Sequence, residues 1–99
     1  MSSSPSVAAN ASVAVNANPP LSTPAYFTVQ ARAEPGVMPR VIELFAKRGL
    51  VPEFWQSAVS GAALSIEIRV AEVEGDTVDY IARCMRQIVG VDTVLSARD

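Results

Sequence analysis

Residues 34–49 read EPGVMPRVIELFAKRG, and how this stretch folds decides how the rest of the chain must be arranged. Val37, Val41, Leu44 and Phe45 recur at helical spacing with Met38 and Ile42 on the flank, while Arg40, Glu43 and Lys47 face away. Pro35 and Pro39 fall at or within the first turn, where a missing N–H costs least. Glu43 stands four residues before Lys47, the favourable order for a surface pair, and Gly49 is placed to stop the helix in a left-handed conformation. The spacing predicts a helix over 36–48.

On its N-terminal side, Phe27, Val29 and Ala31 alternate with Tyr26, Thr28, Gln30 and Arg32, the two-residue period of a half-buried strand starting at Ala25. On its C-terminal side, residues 51–59 hold Phe54, Trp55 and Val59 and read as a second strand. Pro52 cannot donate to ladders on both sides, which places that strand at a sheet edge. Ser60-Gly61 reverses the chain into Leu64, Ile66, Ile68 and Val70, which face one way while Ser65, Glu67 and Arg69 face the other. A second helix is expected after Glu74-Gly75, with Asp76 as its N-cap and Asp79 adding charge to the first turn. Its buried stripe is Val78, Ile81, Ala82, Met85, Ile88 and Val89; Gly90 ends it and 91–97 forms the last strand. The order is βαββαβ. Right-handed crossovers then give an α+β, ferredoxin-like fold: an antiparallel four-stranded sheet in spatial order 4-1-3-2 with both helices on one face.

Charge marks the boundary of this unit. The chain has 99 residues, and none of its 18 charged side chains occurs before Arg32. Residues 1–24, rich in Ser, Ala, Asn, Val and Pro, fit neither period and are expected to be a disordered, uncharged tail preceding a folded domain at 25–98. A lone core of roughly 75 residues is only marginally stabilising, so self-association is expected to help. The net charge of −2 lacks the basic face a nucleic-acid binder needs, and no apolar run approaches the ~20 residues that span a bilayer. The absence of histidine removes the commonest general base and transition-metal ligand, so no catalytic or metal-binding residues and no cofactors are expected. Cys84 is the single cysteine; without an internal disulfide the chain fits a reducing cytoplasm.

Glu34-Pro35-Gly36-Val37-Met38, followed by Val41 and Leu44-Phe45-Ala46-Lys47-Arg48-Gly49, resembles the signature of ACT domains. More narrowly, it is similar to the first loop and helix of the small regulatory subunits of acetolactate synthase, over about residues 26–97. The resemblance implies a non-catalytic regulatory subunit of branched-chain amino-acid synthesis. Its partner would be an acetolactate synthase large subunit carrying thiamine diphosphate, flavin and magnesium. It also implies a small amino acid such as valine bound at the first loop across a dimer interface. Glu34, Gly36, Val37 and Met38 are the expected ligand-binding residues, because amide groups opening a helix attract a carboxylate. Two positions before Pro35, where the family carries Asp or Asn for the ligand's ammonium group, this chain carries Ala33. Glu34 is the nearest substitute.

Gly36 admits a second reading, a glycine required by the turn alone. Phe54 and Trp55 are the candidate interface residues: neighbours in a strand point to opposite faces, so both cannot enter one core, and an exposed aromatic on an edge invites a homodimer. Two other readings share this element order. An RNA-recognition domain needs stacking aromatics on the central strands, and 64–70 has none. A general ACT-like amino-acid-binding or dimerisation module of another enzyme system is the broader alternative.

Overall fold

The computed structural model describes residues 22–99. The tail expectation therefore lies outside the described residues, save for its last three positions. β1 (Ser22–Arg32), α1 (Val37–Ala46), β2 (Phe54–Ser60), β3 (Ala63–Glu74), α2 (Gly75–Arg86) and β4 (Val91–Arg98) follow in order. The strands form one antiparallel sheet ordered β2-β3-β1-β4, the topology expected from the sequence. Phe27 and Val29 of β1 and Leu64, Ile66 and Ile68 of β3 are buried beneath Val41 and Phe45 of α1 and Ile81 and Met85 of α2. Each such large side chain contributes about 1.5–3 kcal/mol through burial. Phe27 and Phe45 meet edge to face, with ring centroids 5.4 Å apart and planes at 79°. That geometry adds about 0.5–1.5 kcal/mol beyond the area buried.

Several boundaries differ from expectation, each for a local reason. β1 begins at Ser22 and contains Pro24; its register against β3 shifts between Thr23 and Ala25, and the irregularity absorbs the N–H that proline lacks. β3 runs past Val70 to Glu74 and enters α2 with no intervening loop. The N-cap of α2 is thus Glu74, in extended conformation and without a side-chain cap bond. Asp76 instead lies inside the first turn, where it still complements the helix dipole. α2 ends at Arg86, so the expected stripe stops at Met85: Ile88 is half-buried and Val89 is 75% exposed. α1 is shorter than expected, ending at Ala46, but Gly49 does take the left-handed conformation, with φ of 70°. Pro52 precedes β2 rather than lying in it, so β2 is an edge through topology and not through proline.

Candidate functional site

The β1–α1 turn is fixed from two sides. The Arg32 N–H donates to the Gly90 carbonyl at 2.8 Å, tying it to the turn after α2, and the Ala33 N–H donates to the Ala62 carbonyl at 2.9 Å, tying it to the β2–β3 hairpin. Within it the Glu34 N–H donates to Arg32 O at 2.8 Å and the Val37 N–H to Glu34 O at 3.1 Å. Val37 is therefore occupied: its amide is paired and its side chain is buried in the core. The amides of Gly36 and Met38 have no partner among the described residues, so they are the two donors the turn offers.

Gly36 does not need glycine's conformational freedom, since its φ is −80°. It needs the space. A Cβ there would collide with Nη1 of Arg40, whose guanidinium lies across the backbone of Gly36. The Glu34 carboxylate is half-exposed, pairs with Arg32 Nε at 3.5 Å, and rests against Gly90. Ala33, Glu34, Pro35, Met38, Val59 and Leu64 line a mostly apolar, open cavity of about 280 Å3 beside this turn. A carboxylate meeting the free amides could place an aliphatic side chain there. The expected ligand residues Glu34, Gly36 and Met38 thus converge, and Val37 supports them from below.

The two candidate interface residues separate. Phe54 pairs with Arg69 on the sheet face away from the helices and is 44% exposed. With Tyr26, Thr28, Glu67 and Arg69 it lines a shallow groove of about 460 Å3. Trp55 pairs with Ile68 on the helix side and packs half-buried against the core. Sequence reasoning missed Val59. It pairs with Leu64 on the helix side yet is 64% exposed, and it shares a surface hollow with Met38 of α1. Arg40 faces away from the core and is exposed, as expected, but sequence reasoning missed its contact with Gly36 and the hydrogen bond from Tyr26 Oη to Asp99 Oδ2 at 2.9 Å. Among the described residues, no group of three His, Cys, Asp or Glu is placed to hold a metal ion, and no helix is long and apolar enough to cross a membrane.

The β1–α1 turn, tied to both the β2–β3 hairpin and the turn after α2, stands beside the edge strand of a four-stranded sheet backed by two helices, the architecture of a small α+β module. The chain belongs to the ACT-like domain family, whose model matches residues 20–98. ACT-like domains are regulatory, non-catalytic modules. No curated protein sequence matches the chain. Among solved structures it is similar to the ACT domain from GTP pyrophosphokinase of Chlorobium tepidum, at 12% identity and a TM-score of 0.68, covering 77% of this chain and 99% of that one. It is also similar to the ligand-free regulatory subunit of aspartate kinase from Thermus thermophilus, at 15% identity and a TM-score of 0.58, covering 76% of this chain and 50% of that one. A homoserine dehydrogenase from Thiobacillus denitrificans contains a similar unit, at 17% identity and a TM-score of 0.65, covering 78% of this chain and 17% of that one. At these identities the likeness speaks to the fold alone.

Proposed function

We propose that this chain regulates an acetolactate synthase large subunit, sensing a small aliphatic amino acid such as valine at the β1–α1 turn and pairing with a second copy along β2. The observation that supports it is the apolar cavity walled by Met38 and Val59 next to the free amides of Gly36 and Met38. Because Val59 belongs to the open edge strand, a second copy docked there would cover the cavity mouth and make ligand binding and pairing interdependent. The likeness of residues 34–49 to the small regulatory subunits of that enzyme supports the choice of partner. The catalytic chemistry, and the thiamine diphosphate, flavin and magnesium that serve it, belong in this reading to the large subunit.

The broader alternative, a general ACT-like amino-acid-binding or dimerisation module of another enzyme system, draws on Ala33, which lacks the carboxylate the family uses. Adding the purified chain to an acetolactate synthase large subunit separates the two. Stimulated turnover that valine reverses is the expected result, stimulation without valine sensitivity leaves a structural activator, and no complex and no stimulation rejects the assignment.

A further inference from the structure

Tyr80 of α2 carries two cations on its ring. Arg48 Cζ stands 4.2 Å from the ring centroid and Arg83 Cζ 5.8 Å from it, both within cation–π reach. Tyr80 and Arg83 are neighbours three residues apart on α2. Arg48 comes from the turn that closes α1, where its N–H donates to Phe45 O at 3.0 Å and the Leu50 N–H to the same carbonyl at 2.9 Å. All three residues are exposed. Both arginines stand near the carbonyl end of a helix, which favours a cation, yet neither guanidinium reaches a carboxylate or another acceptor among the described residues. Asp79, four residues before Arg83, does not pair with it, and Glu43 is taken by Lys47 at 4.0 Å. A guanidinium stacked on a ring keeps its N–H fork free for a planar acceptor. Two such forks on one ring, with no carboxylate of the described chain between them, call for an anion from outside.

We infer that Arg48, Tyr80 and Arg83 form a docking patch for an acidic segment of a partner protein. Charge selects that occupant first, since an arginine fork matches a carboxylate in two parallel bonds. Shape selects it second. The patch lines neither hollow described above, and a small ligand needs concave walls, whereas tyrosine and arginine are the side chains that dominate contacts between proteins. The patch lies beyond the C-terminal end of α1 while the β1–α1 turn opens the other end, and ten residues of helix put about 15 Å between them. A ligand at the turn and an acidic partner at the patch can thus be held together. This surface rests on the proposed regulation of a large subunit and adds to it where that subunit docks.

Calorimetric titration of the full chain with a purified acetolactate synthase large subunit tests it. Arg48→Glu and Arg83→Glu are each expected to weaken the complex on the order of tenfold or more, and added salt to weaken the wild-type complex more than either variant's. Tyr80→Ala keeps both charges but removes the ring that holds them, and is expected to weaken the complex as well. Tyr80→Phe keeps the ring and is expected to bind as wild type. Lys47→Glu makes the same change in net charge one residue away and is expected to alter binding little. Thermal melts report that the variants, all at exposed positions, remain folded. Wild-type affinity in both arginine variants, or a loss in Lys47→Glu as large as theirs, overturns the docking patch while leaving the regulatory reading intact. An Arg48→Glu chain that loses inorganic phosphate binding or self-association, yet still binds the large subunit, assigns the patch to a small anion or a second copy and overturns it too. A wild-type chain that forms no complex overturns both.

Discussion

Gly36 and Gly90 flank the same turn and are glycine for different reasons. At Gly36 an added methyl meets only the far end of a flexible arginine, so Gly36→Ala is expected to displace Arg40 while changing stability by less than about 1 kcal/mol. At Gly90 the backbone has φ of +100°, and a Cβ would stand 3.0 Å from Glu34 Oε1 and 3.2 Å from Val37 Cγ2. Gly90→Ala is expected to cost more than about 1 kcal/mol in urea denaturation, because strain and crowding act together. Phe45→Ala empties the edge-to-face pair with Phe27 and is expected to cost about 3–5 kcal/mol in the same measurement, enough to unfold much of a domain this small. Tyr26 offers a titration. Its hydrogen bond to Asp99, then desolvation and the nearby carboxylate charge, raise its pKa above the ordinary 10.0, while Arg69 pulls weakly the other way. The folded state therefore holds this proton longer than the unfolded one, and the stabilisation is complete below pH 10 and lost as pH rises through the raised value. Phenolate absorbance is expected to show a late transition that Asp99→Asn brings earlier; identical curves would break the link between the two groups.

Element order was readable because alternation in β1 and β3 and the helical stripe of α1 are set by burial, which leaves a direct imprint on the chain. What escaped was governed by neighbours distant in sequence. Val89 matches the α2 stripe by spacing, yet the helix ends at Arg86 because the chain must turn at Gly90 to bring β4 back beside β1. Asp76 has the chemistry of a cap, yet β3 runs directly into the helix and puts Glu74 at the N-cap position, where its side chain makes no cap bond. At the candidate site, the motif at 34–38 located the turn, but which amides are free depends on bonds to Arg32 and Glu34 carbonyls, and the approach of the Arg40 guanidinium to Gly36 is not written in residue spacing. β2 is where the element scale yields a prediction. Its two faces expose Phe54 and Val59, and an unpaired edge of this kind is a template for a second strand. Val59→Lys places a charge on that edge without touching the core. It is expected to convert a dimer to a monomer in analytical ultracentrifugation with an unchanged circular dichroism spectrum; a wild-type monomer would contradict the pairing.

At the scale of the whole molecule, one sheet face is covered by α1 and α2 and the other is bare, so nearly all apolar stabilisation comes from a single layer. Such a domain is suited to regulation by association, since a ligand or a second copy that binds the folded state would add to a stability drawn from one layer. The turn at 34–38 and the strand at 54–60 lie side by side through Val59 and the apolar cavity, and this adjacency is what would carry a signal from ligand to partner. Hydrogen–deuterium exchange of the full chain with and without L-valine tests that coupling directly. The account predicts slowed exchange confined to the β1–α1 turn and β2; exchange unchanged in both, or slowed in the turn while β2 stays as it was, contradicts it.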